Sequence, residues 1–485
     1  MRWAIALLGL AGVFSSSLAA QQLDITHPPR LGPPAPLKIP PVQRTSLANG
    51  LQLYVIEQHE VSVVQLLLSV RGGGRNDGTE PGLASFTGSM LDEGADTLDA
   101  FGIAAREAYL GADLETGADW DATEIGLKVP AKTLSPALDL MATVALKPSF
   151  RSDVVKRQRD LRLAAILQQR DEPDVVAGKT FDALVFPAGH PYHEPLMGDS
   201  ASTVSLDSAM VREFYRRTFR PDRATMIVSG DITLPAARAM VEREFGAWRA
   251  TKAAVNLSSR ISPPVPRGAT SVYLVDKPGA AQSVIVIGGP GVDRRSPDYY
   301  ALEVMNTLLG GSFSSRLNQN LRETKGYTYG AGSAFEYRPL PGPFVAQAAV
   351  RTNVTDSSLV EFFREFRRIR DSTVSSSELR RAKNFIALQL PGEFETASDL
   401  ATQLGELLVF GLPLEYYRTY IPRIMRVTSA DVQRVARKYV QPDKLTIVVV
   451  GDVAKIRPGI EALQLGTVKE VPAEGTGATA RSSGH

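Results

Sequence analysis

"RPDRATMIVSGD", residues 220–231, and "QPDKLTIVVVGD", residues 441–452, are near copies of one another. Each reads as a Pro-Asp turn, a mostly apolar strand and a Gly-Asp turn. They lie 221 positions apart. A second pair, "LYVIEQHEVSVVQLLLSV" from Leu53 and "VYLVDKPGAAQSVIVIGG" from Val272, repeats at an offset of 219 and reads strand, polar turn, strand. Two matches at nearly one offset predict two homologous halves of about 220 residues each.

Each half mixes hairpin strands with helical patterns. The first half predicts helices over 81–93, 99–110, 134–145, 154–170 and 207–217. The second predicts them over 297–309, 314–325, 357–371, 376–388 and 397–408. Strands come in bunches rather than in strict alternation with helices. That pattern gives an α+β fold: two homologous halves, each an antiparallel sheet packed with helices.

The flanks read differently. Residues 1–20 have the form of a signal peptide, with Arg2, a twelve-residue apolar run from Trp3 to Phe14, and small residues at Ser17 and Ala19. Residues 21–44 form a linker whose "THPPRLGPPAPLKIPPVQ" holds seven prolines, which fix φ and remove donors. The first domain spans 45–250, a connector 251–268, the second domain 269–470, and a small, polar, disordered tail 471–485. No later stretch reaches about 18 uninterrupted apolar residues, so no stable membrane span is expected in the mature chain. Export as a soluble protein to the periplasm, or secretion, is the expectation.

The chain has 485 residues, 44% of them apolar and 22% charged, with a formal net charge of +2. No basic tract stands out, so nucleic-acid partners are set aside. There is no cysteine, which removes disulfides, thiolate metal sites and cysteine nucleophiles. There are five histidines. His190 and His193 in "FPAGHPYHEP" are the only close pair, and the flanking prolines make that stretch a bent structural loop.

"GLASFTGSMLDEGADT", residues 82–97, opens the functional question. Thr79, Pro81 and Gly94 are the expected cap, first-turn residue and exit of its helix. Ser85 and Ser89 share a face. The frame around them resembles the pitrilysin/insulinase zinc peptidases, the H-x-x-E-H inverzincins, and most the branch of the mitochondrial processing peptidase. Gly82, Leu83, Ala84, Met90, Leu91 and Gly94 match that pattern. The resemblance places serine at both histidine ligand positions, Ser85 and Ser89. It places Gly88 at the general-base position and Ala165 at the third, glutamate, ligand position. A supporting glutamate position falls on Gln158. Zinc takes imidazole, thiolate or carboxylate donors, and none of these residues offers one. Without a base or an acidified water there is no hydrolysis. No G-x-S-x-G surrounds either serine, so a serine nucleophile is not read here. The "RGGGRND" run at 71–77 lacks the G-K-[ST] ending of a phosphate loop and reads as structural.

The second half keeps a different signature. "GGSFSSRLNQNLRETKGYTYGAGS", residues 310–333, resembles the family's second signature, a Ser-Arg-Leu helix followed by an Arg and a Tyr seven positions on. These fall on Arg322 and Tyr329. The resemblance implies that they bind the substrate backbone and steady the oxyanion at a zinc site in the opposite half or subunit. A guanidinium and a neutral phenol suit that task. The implied function is a non-catalytic subunit, inactive alone, of an exported two-subunit metalloendopeptidase. Its partner would be a zinc-bearing homologue that hydrolyses peptides, with the cofactor zinc in that partner. The alternatives are a non-catalytic scaffold and a peptide-binding protein of the same fold.

Overall fold

A computed structural model describes residues 37–250, 264 and 268–473. The signal-peptide segment, most of the linker and the connector, and the tail from 474 lie outside these residues. The linker's last residues do not: Val42–Ser46 is a strand, so Val42 to Arg44 belong to the first sheet instead.

In chain order the strands of the first half are β1 (Val42–Ser46), β2 (Gln52–Glu57), β3 (Val63–Arg71), a two-residue ladder of β4 (Gly94–Ala95) with β5 (Leu98–Asp99), β6 (Asp113–Ala118), β7 (Ala122–Pro130) and β8 (Ala224–Gly230). Those of the second are β9 (Ser271–Asp276), β10 (Gln282–Pro290), β11 (Thr328–Phe335), β12 (Pro343–Arg351), β13 (Thr446–Gly451) and β14 (Thr467–Glu470). The first sheet runs β1-β2-β8-β3-β7-β6 and the second, read in the same direction, β14-β9-β13-β10-β12-β11. Five strands match in order, β2-β8-β3-β7-β6 with β9-β13-β10-β12-β11, which makes the duplication structural; the sixth differs, since β1 precedes its sheet in the chain and runs antiparallel to β2, whereas β14 comes last and runs parallel to β9. Most pairs are antiparallel, but β8 lies parallel to β2, and β13 and β14 both lie parallel to β9. The repeated segments 220–231 and 441–452 thus hold the central, returning strands of the two sheets, β8 and β13.

β13 is buried along its whole length. Its alternate residues go to different cores: Ile447 and Val449 to one, Val448 and Val450 to the other. A continuous apolar run is the mark of a strand covered on both faces. The cover on one face comes from the other half. Val176, Ala177, Phe181 and Val185 of the helix Pro173–Val185 pack with Val448, Val450, Val284 and Val286 of the second sheet. In return, the helix Ala397–Phe410 packs on the first sheet, with Gly405 close enough to Leu67 that an added Cβ would lie 3.3 Å from its Cδ2. The two halves exchange equivalent helices. Burial of apolar faces, rather than the short connector, therefore holds them together.

Helix boundaries follow the predicted ranges closely in most cases, as in Leu134–Leu146, Ser152–Gln169 and Thr355–Asp371. Two differ in kind. The helix expected over 81–93 is only Leu83–Gly88, entered through Gly82 in the left-handed region at φ 90°. Thr79 does not cap it. The helix expected over 314–325 is one turn, Arg316–Asn318, that widens into a π-turn over Gln319–Thr324.

The exchanged helix carries a titratable group. Burial pushes the Asp182 carboxyl up to about 7 from an ordinary 3.8, with Arg338 opposing and Glu336 adding. The folded chain therefore holds a proton that the unfolded chain has lost between about pH 4 and 7. Stability from this group rises as pH falls through that window. His190, lowered to about 4 by burial, acts in the opposite sense below its ordinary 6.5. The expected result is that Asp182→Asn removes the acid-side gain. Urea midpoints at pH 7.5 and 5.5 for both proteins measure it. An unchanged pH dependence in the variant refutes the assignment.

Candidate functional site

The short helix Leu83–Gly88 begins at a carboxylate that sequence reading missed. Asp77 Oδ2 accepts from Gly82 N at 2.8 Å and Oδ1 from Ala84 N at 2.7 Å. These amides would otherwise be orphaned at a buried helix start. Asp77 lies five residues upstream of Gly82, outside the local spacing of a capping box, and only the loop's fold brings it in. That loop is the glycine run: Gly72, Gly74 and Arg75 amides donate to the carbonyls of Asp121, Asp119 and Trp120. Its amides are spent on protein, as a structural loop requires. Asp77→Ala is expected to cost about 0.5–2 kcal/mol of stability through the lost cap, read as a lower urea midpoint. A midpoint within error of the parent rules the cap out.

The face that would carry two imidazoles holds Ser85, half-buried, and Ser89, exposed. Ser89 Oγ donates to Phe86 O at 3.0 Å. Arg162 reaches the same face from the helix Ser152–Gln169. Its Nη2 donates to Ser89 Oγ at 3.3 Å, its Nη1 to Gly82 O at 3.2 Å, and its guanidinium lies 4.9 Å from the centre of the Phe86 ring. Burial lowers Arg162 to about 10, opposed by Asp77, so it remains charged near neutral pH. A fixed cation thus stands beside Ser89, at one of the two positions where the resemblance puts a histidine ligand. Ala165 is three residues beyond Arg162 on the same helix, and the signal was there to read: an arginine one turn before the emptied ligand position. Gln158, two turns before Ala165, donates to Glu93 and so ties this helix to the segment after the short one.

Gly88 is closed from the other side. A Cβ there would lie 2.6 Å from the carbonyl carbon of Gly117 and 2.9 Å from Ala118 N. The backbone of β6 therefore fills the space of any side chain at the general-base position. Among the described residues, no three His, Asp or Glu side chains are placed to hold a metal. Zinc does not fit this donor set: two hydroxyls, a methyl and a guanidinium offer no anionic or imidazole ligand. His190 and His193 are used in their turn. His190 Nδ1 accepts from Tyr192 N at 3.1 Å, and His193 Nδ1 lies 2.8 Å from Phe186 O.

Arg322 and Tyr329 lie in the second half. Arg322 sits in the π-turn, its guanidinium 4.6 Å from the Phe313 ring centre and its Nε 3.4 Å from Glu323. Such turns recur at functional positions because they re-aim a side chain. Tyr329 is on β11, the outer strand of its sheet, where the register shifts between Thr328 and Ala331. Thr328 Oγ1 both donates to Gly330 O and accepts from Gly330 N, fixing the bulge. Tyr329 is 88% exposed. A cavity of about 580 Å³ is lined by Arg322, Phe313, Asn318 and Gly330, with Asp174 contributed by the exchanged helix. None of Ser85, Gly88, Ser89 and Ala165 lines it. Tyr329 does not line it either, so this cavity takes up Arg322 alone of the expected site residues.

A family model described as "Insulinase (Peptidase family M16)" matches residues 53–198, and one described as "Peptidase M16 inactive domain" matches 205–386. An uncharacterized zinc protease of Mycobacterium tuberculosis is 27% identical over 419 residues, 84% of this chain and 93% of that one. A non-peptidase homolog of Helicobacter pylori is 21% identical over 404 residues, 82% of this chain and 91% of that one. Among solved structures, a peptidase M16 inactive domain of Pseudomonas fluorescens superposes with a TM-score of 0.78 at 28% identity, covering 84% of this chain and 98% of that one. PqqL, a periplasmic protease of Escherichia coli, superposes at 0.71 with 15% identity, covering 90% of this chain and 52% of that one, which speaks for the fold.

Proposed function

Because this chain belongs to the insulinase family, peptidase family M16, we propose that it is a non-catalytic subunit of an exported two-subunit metallopeptidase. It supplies Arg322 and Tyr329 to a zinc-bearing homologous partner that cuts peptides. One observation carries the reading. Tyr329 is a large aromatic held 88% exposed on a bulged outer strand, where its own fold makes little use of it. A phenol presented in this way donates one hydrogen bond to whatever docks there. The first half cannot use it, since its ligand positions carry Ser85, Ser89 and Ala165.

The periplasm suits a chain that begins with a signal-like segment. No helix among the described residues is long and apolar enough to cross a membrane. The substrate class is an extended peptide, held by strand addition at a sheet edge.

The test is a peptidase assay on this chain, on a zinc-bearing homologue from the same genome, and on their mixture. Activity that is present or strongly enhanced only in the mixture is the expected result. Metal-dependent cutting by the pure chain overturns the reading. A stable complex whose activity ignores Arg322 and Tyr329 makes the chain a scaffold instead.

A further inference from the structure

The exchanged helix Ala397–Phe410 covers only part of the first sheet's face, and leaves a cavity on either side of itself. One, of about 760 Å³, includes Asp113, Glu115, Asp119, Glu124 and Glu406 against Lys128 and Arg338. The other, of about 520 Å³, has the opposite character. It is lined by Arg71, Arg75, Arg223, Arg294 and Arg295, with Asp121 as its only carboxylate.

The sheet register explains the arrangement. Thr225 of β8 is paired with Gln52 of β2 on one side and with Ser69 of β3 on the other. These three polar side chains form a row at one level of the face. Two residues further along the same face come Arg71, at the end of β3, and Arg223, just before β8. Tyr54, Ile227, Leu408, Val409 and Phe410 supply an apolar wall.

The local carboxylates are already engaged. Asp121 lies 2.6 Å from Arg75, Asp222 lies 2.9 Å from Arg220, and Glu124, opposite Ser69, faces the acidic cavity. Arg294 is held by the rings of Tyr299 at 3.7 Å and Tyr416 at 4.9 Å. Arg71, Arg223 and Arg295 have no carboxylate within ion-pair distance among the described residues. Burial, and then the neighbouring Arg71 and Arg220, push the Arg223 guanidinium below its ordinary value. Like charges gathered in a half-enclosed cavity are unfavourable without a counter-charge.

We propose that this cavity is a binding site for a small, multiply charged anion, with the forks of Arg71, Arg223 and Arg295 holding phosphate- or carboxylate-type oxygens and Gln52 and Thr225 completing the donor set. Planar guanidinium pairs match such oxygens two at a time. The size suits a small organic anion with one apolar side. The site stands apart from Arg322 and Tyr329, so it does not depend on the peptidase reading.

Calorimetric titration of the full chain with pyrophosphate, and separately with citrate, at low ionic strength tests it. Saturable binding is expected, with a melting temperature that rises with ligand and an affinity that falls as salt is added. Arg71→Gln, Arg223→Gln and Arg295→Gln should each weaken it about tenfold or more, and Arg364→Gln, on the helix Thr355–Asp371 and not among the cavity's lining residues, should not. Preference between the two anions says whether phosphate or carboxylate oxygens are the better fit. Without ligand, Arg223→Gln should melt no lower than the parent, because repulsion is relieved. Arg295, exposed in a loop, gives a variant free of folding effects. The proposal is overturned if neither anion binds, if a tetraglutamate peptide binds where neither does, or if Arg364→Gln weakens binding as much as the cavity variants.

Discussion

Rebuilding the metal motif, by Ser85→His, Gly88→Glu and Ser89→His together with Ala165→Glu, is expected to yield a destabilised protein that holds no zinc. The obstacle is steric before it is chemical. At Gly88 the first atom of any side chain lies 2.6 Å from the carbonyl carbon of Gly117. That neighbour is backbone of a strand in a six-stranded sheet, and cannot turn aside as a side chain could. Gly88→Ala alone should therefore cost about 1–3 kcal/mol, the usual range for forcing extra atoms into a packed site. Glutamate should cost at least as much. The second obstacle is Arg162, whose Nη2 donates to Ser89 Oγ and whose charge repels a divalent cation. Ser85→Ala, by contrast, should change stability by less than about 0.5 kcal/mol, as substitutions without packing consequences do, and Ser89→Ala by about 0.5–1.5 kcal/mol through the lost hydrogen bond from Arg162. Thermal melts and the metal content of the purified protein decide the matter. A rebuilt variant as stable as the parent, with one zinc per chain, would contradict the account.

Removing one oxygen from Tyr329 should cost the two-subunit enzyme about 10²–10³ in kcat, the scale on which a lost oxyanion donor acts. Tyr329→Phe keeps the ring and deletes only the donor. The side chain is 88% exposed, so folding should be untouched and the melting curve unchanged. Arg322→Ala should act on KM as well, since a guanidinium that binds substrate backbone also holds it before reaction. That change also loses the contact with Phe313, 4.6 Å away, and Arg322→Lys separates charge from planar hydrogen bonding. Steady-state kinetics of the mixture measure all three. Full activity with Tyr329→Phe in a well-formed complex removes the phenol from the mechanism.

Legibility was uneven, and for identifiable reasons. Helices with their own caps were readable: Asp99 accepts from Gly102 N at 2.8 Å, and the helix starts at the next residue, as its sequence indicates. The short helix before Gly88 was misjudged because its cap is Asp77, which no local spacing rule connects to Gly82. The helix expected over 314–325 widens before Arg322, because end signals such as Ser314 and Gly326 bound a helix without fixing its pitch. Residue roles followed the same division. Ser85, Ser89 and Ala165 lack ligand atoms wherever they lie, so their incapacity needed no coordinates. Arg162 gains its meaning from the 3.3 Å that separates it from Ser89.

The chain by itself determined the duplication, the two central strands, and the loss of every ligand atom. These are properties of covalent identity and of short-range periodicity. The unbroken apolar run from Ile447 to Val450 also asks for cover on both faces of β13. Only the tertiary structure decided what provides the cover: the helix Pro173–Val185 crosses to the second sheet while Ala397–Phe410 crosses to the first. It likewise decided that β6 closes on Gly88, and that one flank of the exchanged helix is basic and the other acidic. Apolar burial is non-directional, so one helix face serves either sheet equally well by pattern alone. The choice between them is made by shape and by the backbone contacts that long-range packing brings together.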